Sequence, residues 1–446
     1  MNAKENEKRS GRTTIVAYKK KEFDETELKG EMKRMERECQ CDVQNLPHVG
    51  VFVLTYQSTM HKRASKIFLN ATKEMGADDV DVGVFSDVQS RIAASDPYFL
   101  HQWALLNLAN DSDINMQAGW DEYRHGTNSG ELRYNVTVAV IDTGIDYNHE
   151  DLKTMMWINT REIPGNGIDD DGNGIVDDIH GADFTQIPPS GDPMARNSSW
   201  SSYDHGTACA GIIGAQEGNY RGIVGVASYA QGRIKLMALK GLSQKASSIS
   251  GLLQCLNYAI EQGASISSNS WGTSCDEISC YSLTLEMESV WKTVLQNNPD
   301  HLFIAGAGGS NKFINGGYKP LPCGIQEPNL LCATASTKMN QKYSNSNYGA
   351  NYVHVFAPGE KIATTTPGNE YRYKSGTSMA CPHVSGLAAL IRTMNKNLNG
   401  QDVKQLIELN VNKKDAYTAL VSSGGLIDAA KTIHAVRIAG MNVVFS

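Results

Sequence analysis

No run of eighteen or more apolar residues occurs in this 446-residue chain, which argues against a membrane-spanning helix. Positive charge is not in excess: the formal net charge is −7, whereas a general nucleic-acid binder presents a basic face. Internal repeats and long low-complexity segments are missing. The opening MNAKENEKRSGRTT is polar and basic and lacks the apolar middle of a signal peptide. That leaves two readings, a cytosolic chain or one whose leader lies outside this sequence.

What is present is ordinary for a globular protein, with 41% hydrophobic and 20% charged residues. The length exceeds one typical domain and buries a large core without staples. Nine cysteines occur. Cys275/Cys280 and Cys323/Cys332 are spaced like small loop staples of an oxidising compartment, with unpaired thiols as the alternative. Sequons at Asn70, Asn110, Asn135 and Asn197 fit a secreted or secretory-pathway protein, although such triplets also arise by chance.

Three zones follow along the chain. Residues 1–12 form a polar tail. Residues 13–94 are charge-rich: TTIVAY, HVGVFVLTY and VDVGVF read as strands. DETELKGEMKRMERECQ and HKRASKIFLNATKEMG read as helices between them, so that a small α+β sandwich with one extra edge strand is expected. In residues 95–446 apolar runs (VTVAVID, IKLMAL, ASISSNSW, LFIAGAG) alternate with helical stretches such as SISGLLQCLNYAIEQG. That alternation predicts an α/β domain with a parallel sheet covered on both faces, its chemistry at the carboxyl ends of the strands.

Three strings carry the chemistry. VTVAVIDTGID ends a buried strand in Asp142, an acid that is costly there unless hydrogen-bonded. DHGTACAGIIGA sets His205 at the start of a helix of small residues. SGTSMACPHVSGLAAL sets Ser378 at a helix N-terminus, where unpaired N–H groups and the helix dipole suit a nucleophile that passes through an oxyanion. Pro382 is expected in that helix's first turn. Cys209 and Cys381, on the same helices, read as buried thiols, with a redox role as the lesser alternative.

The order Asp, His, Ser is one of three known triad orders, and with these whole strings the chain resembles the subtilisin-like (subtilase) family from about Asp96 to about residue 440. The preceding unit resembles the family's inhibitory propeptide of the inhibitor I9 type. The resemblance implies a three-layer sandwich with a central, mostly parallel sheet, preceded by a ferredoxin-like propeptide. It also implies an autoprocessing, monomeric serine endopeptidase zymogen, cut near residues 88–95, with the propeptide as its own inhibitor. Ser378 would attack the scissile carbonyl, His205 would carry the proton, and Asp142 would orient His205.

One departure stands out. In LFIAGAGGSNK, Gly309 occupies the place of the family's oxyanion-hole asparagine, a donor whose loss costs roughly 10²–10³ in turnover in subtilisin. Three readings remain: a shifted loop in which Asn311 supplies the amide, a slow enzyme using backbone N–H groups near Ser378 and Gly309, or a pseudo-protease that binds extended peptides. A calcium-dependent scaffold protein is a further rival, favoured only by the acidic loop below.

ISSNSWGT resembles a groove that receives substrate as an added strand, with Ser270, Trp271 and Gly272 on one wall. Lys240 to Leu242, with Gly241 among them and Leu239 just before, are candidates for the other. GNGIDDDGNGIVDDIHG places Asp169, Asp171, Asn173 and Asp177 like the first ligands of an EF-hand loop, although His180 stands where the bidentate Glu belongs. Hard oxygen ligands favour Ca²⁺; a solvated acidic turn is the alternative. The resemblance implies a second calcium site at Asp151 and Asn219, with Gln102 as a doubtful third ligand.

Overall fold

The computed structural model describes residues 95–442 apart from 108–110, 129–132, 197–201, 231, 245–248, 273–280 and 316, together with four earlier strands and residues 33, 34 and 37. Those strands are β1 (Gly11–Ala17), β2 (Asp42–Leu46), β3 (Val51–Gln57) and β4 (Asp81–Phe85). They pair antiparallel in the order β2-β3-β1-β4. β2 is the extra edge strand expected from the sequence, and β1 reaches back to Gly11, into the stretch assigned to the tail. The two helices expected between these strands lie almost wholly outside the described residues.

The larger sheet is built from β5 (Val136–Asp142), β6 (Gly181–Asp183), β7 (Ile234–Lys240), β8 (Ile266–Asn269), β9 (Leu302–Gly306), β10 (Leu330–Ser336) and β11 (Val355–Pro358). A hairpin of β12 (Ile362–Thr366) and β13 (Glu370–Lys374) follows, and β14 (Asn412–Lys413) and β15 (Gly425–Leu426) extend the sheet's edge. The order is β14-β15-β11-β10-β9-β8-β5-β7-β6. Every pairing in it is parallel except β14 with β15.

Alternation along the strands makes the layers. Val136, Val138 and Val140 of β5 enter one core, while Ala139 and Ile141 enter the other. The first core is closed by α1 (Met116–Asn128), α2 (His205–Gly214), α5 (Thr377–Met394), α6 (Gly400–Leu409) and α7 (Ala429–Asn442). The second is closed by α3 (Ile249–Glu261) and α4 (Tyr281–Gln296). Each large apolar side chain buried this way contributes about 1.5–3 kcal/mol, and a sheet covered on both faces keeps its strands apolar throughout. The result is an α/β three-layer sandwich.

The sheet order also locates the site. From β5 the chain crosses to the edge strand β6, returns to β7 between them, and then passes to β8 and its successors on the other side of β5. A crevice opens at the carboxyl ends of strands at such a reversal point, and Asp142 is the last residue of β5.

Candidate active site

Asp142 is fully buried, and its carboxylate is satisfied at once. Oδ1 accepts from the Thr143 N–H at 2.8 Å, and His205 Nδ1 lies 2.8 and 3.0 Å from Oδ1 and Oδ2. The imidazole is held where α2 begins. Gly206 N donates to Thr143 Oγ1 at 3.0 Å, and a Cβ at Gly206 would stand 2.2 Å from the Gly144 carbonyl. Only glycine lets the helix sit this close to the turn after β5. Burial opposes a charge on His205, but the Asp142 carboxylate, with Cys209 beside it, holds the ring's pKa well above the usual 6.5.

Ser378 lies in the first turn of α5, behind Gly376 with φ 145°, a conformation that favours glycine. Pro382 lies inside the helix, one turn later than the sequence suggested, so the Ser378 carbonyl has no N–H partner one turn on. Ser270 Oγ at 3.0 Å and Cys209 Sγ at 3.5 Å take that carbonyl instead. Cys209 Sγ is also 3.8 Å from Asp142 Oδ2 and 3.9 Å from His205 Nδ1. One sulfur atom thus has Asp142, His205 and Ser378 all within 4 Å. Burial pushes the Cys209 thiol up and the Cys381 thiol up to about 12, which suits packing and not redox chemistry.

A cavity of about 400 Å³ opens beside Ser378, lined among others by Ser270, Trp271, Gly272, Gly308 and Gly309. Trp271 is both wall and anchor: its Nε1 donates to the Ile141 carbonyl at 3.0 Å. The residues proposed for the other wall have other partners. Leu239 is fully buried in the second core, while the N–H groups of Gly241 and Leu242 donate to the Asp142 carbonyl at 3.0 Å. None of Leu239 to Leu242 lines this cavity.

The loop after β9 is pinned by a residue the sequence did not reveal. Asn347, buried, accepts from Ser310 N at 3.1 Å and Lys312 N at 2.9 Å, and donates to the Ala307 carbonyl at 2.9 Å. A Cβ at Gly309 would meet nothing within 4 Å. Asn311 is not brought to the cavity; its Oδ1 accepts from Lys342 Nζ at 2.7 Å.

Of the four carboxylate and amide ligands read from the acidic loop, the structure brings one into a cluster. Carboxylate oxygens of Asp171, Glu162 and Asp178 lie within 4.8 Å of one another. Asp169 instead accepts from the N–H groups of Gly172, Asn173 and Gly174, and Asp177 from those of Gly165 and Gly167. Asn173 Nδ2 donates to Asp178 at 2.7 Å. In this loop Asp169 and Asp177 serve the backbone wound around them, while Asp171 stands in the acidic cluster.

Asp151 and Asn219 do meet, Nδ2 to Oδ1 at 2.7 Å. Gln102 is spent on both N–H and carbonyl of Val224 at 2.8 Å. The better partner is Asp96: it is 2% exposed, its Oδ1 lacks any hydrogen-bond partner, and Oδ2 accepts from Gly218 N at 2.7 Å. Burial and the nearby Asp151 charge push the Asp96 carboxyl up to about 6. An orphaned buried carboxylate oxygen beside a second carboxylate is what a hard dication fits. Nothing in the string SDPYF signals this burial, because the contacts are more than a hundred residues away.

Cys323 and Cys332 form a disulfide with Cα atoms 5.6 Å apart; Cys275 and Cys280 lie outside the described residues, as do Asn70, Asn110 and Asn197. No described helix is long and apolar enough to cross a membrane.

A buried aspartate, a histidine bound to it, and a serine at a helix start, gathered at the reversal point of a parallel sheet, define a class: α/β proteins built for acyl transfer. Comparison with known proteins narrows the class. The peptidase S8 (subtilase family) model matches residues 133–425, and the chain belongs to that family. Subtilisin-like protease 1 of Plasmodium vivax is 34% identical over 340 residues, covering 73% of this chain and 52% of the relative. The thermophilic serine proteinase of Bacillus sp. strain AK1 is 34% identical over 279 residues, covering 62% and 56%. The chain thus spans about half the length of these curated relatives. A solved protease of Pseudoalteromonas arctica PAMC 21717 superposes with TM-score 0.56 at 22% identity, covering 77% of this chain and 99% of that one, a likeness of fold.

Proposed function

We propose that the chain is a serine endopeptidase with Asp142, His205 and Ser378 as its triad. The observation that carries the reading is the common neighbourhood of the three around Cys209 Sγ, beside an open cavity walled by Ser270 to Gly272. His205, oriented by Asp142, takes the Ser378 proton as the hydroxyl adds to the scissile carbonyl, and returns it to the leaving amine. Substrate pairs as an added strand along Ser270–Gly272.

The same reading takes residues 13–94 as an inhibitory propeptide, residues 95–446 as the catalytic domain, and the chain as a self-processing zymogen working as a monomer. The antiparallel β2-β3-β1-β4 order, that of a ferredoxin-like sheet, supports it. The Cys323–Cys332 disulfide and exposed Asn135 support a secretory route. Calcium fits Asp96, Asp151 and Asn219, and less completely the Glu162, Asp171 and Asp178 cluster; bound there, it stiffens surface loops and takes no part in acyl transfer. A peptide-binding pseudo-protease is the second reading, favoured by the missing side chain at Gly309.

The full chain expressed beside Ser378→Ala and weighed intact separates the two. Loss of about 90 residues (the 13–94 unit with its tail) by the unmutated chain alone, with Ser378 labelled by a fluorophosphonate, is expected; retention of full mass and no labelling would leave the pseudo-protease.

A further inference from the structure

Peptide hydrolysis through Ser378 needs a side-chain or backbone donor aimed at the developing oxyanion, and at Gly309 no side chain exists. Asn311 does not line the cavity, and its amide oxygen is held by Lys342. Asn347 is buried and spends both amide atoms on the 307–312 loop. A third asparagine stands in a different position. Asn345 lines the same cavity as Ser378 and Gly309, is exposed, and no intramolecular hydrogen bond engages its side-chain amide among the described residues. Its backbone is fixed against the Gly309 loop, since its carbonyl accepts from Asn311 N at 2.8 Å. The main chain is thus held and the amide is free, the arrangement of a donor kept for a ligand.

We propose that Asn345 supplies the side-chain donor of the oxyanion hole, reaching across the space that Gly309 leaves open. This rests on the reading of the chain as a Ser378 hydrolase. Nothing fills the Cβ direction of Gly309 within 4 Å, so the amide has room, and a side chain there would compete for the same volume. Together with an unpaired N–H at the start of α5, Asn345 completes a two-donor hole. As the amide only hydrogen-bonds, no atom is transferred to it.

The test uses the full chain, Asn345→Ala, Gly309→Asn and the double variant, with kcat and KM on a peptide amide substrate and fluorophosphonate labelling of Ser378. Expected is a fall in kcat of roughly 10²–10³ for Asn345→Ala with KM nearly unchanged, and recovery of most of it in the double variant. Unchanged kcat in Asn345→Ala, or a change confined to KM, with Ser378 still labelled, would overturn the proposal alone. Absence of both turnover and labelling in the unmutated chain would instead remove the hydrolase reading beneath it.

Discussion

Ser270 and Ser378 hold each other reciprocally: the hydroxyl of each donates to the carbonyl of the other, both at 3.0 Å. The pair closes a gap left by Pro382, whose ring nitrogen offers no proton to the Ser378 carbonyl. It also parks the Ser378 hydroxyl on the end of β8 until a substrate carbonyl is presented.

Ser270→Ala removes the oxygen donor to a carbonyl that the helix itself cannot satisfy. The expected cost is about 1 kcal/mol in a urea titration. A shift within error would mean that Cys209 Sγ alone holds the carbonyl.

The pH profile follows from His205. Its ring carries a pKa raised well above 6.5, because Asp142 and Cys209 together outweigh burial, and only the neutral ring can accept the Ser378 proton. The value of kcat/KM should therefore climb with pH along a limb lying above 6.5. Asp142→Asn deletes the charge that raises the ring. It should move the limb to lower pH and cost about 10⁴ in kcat through the wrong tautomer. A wild-type limb at or below 6.5 would contradict the assignment. The same pairing adds stability that is complete below pH 6.5 and is lost as pH rises through the raised value.

Calcium should raise the melting temperature, the gain growing as RT ln(1 + [L]/Kd), about 2.7 kcal/mol at a hundredfold excess over Kd. Asp96→Asn should remove most of that response in a chelator-against-calcium melting comparison. An equal response in both proteins would place the ion elsewhere.

Motifs made of neighbours along the chain were legible in the sequence. β5, β7, α3 and α5 fall where the apolar periods put them, and Asp142, His205 and Ser378 stand at element ends named by DTG, HGT and GTS. Residues whose surroundings come from distant segments were not. Asp96 meets Gly218, and Asn347 reaches back to Ala307; no local pattern records either contact. The acidic loop shows a related limit. Asp169 and Asp177 sit at ligand spacing, yet the same spacing lets them accept from the loop's own N–H groups, and glycine-rich backbone supplies those donors in quantity.

That loop also bears on how the molecule survives its own kind. Gly165, Gly167, Gly172, Gly174 and Asp177 all carry positive φ, and carboxylates bind many of the amide protons between them. A chain that is cut must first straighten and lie along a groove as a strand. Though Ile163 and Ile168 stand well exposed, this segment is wound the wrong way for that, so an exposed stretch of the surface is a poor substrate for a neighbouring copy.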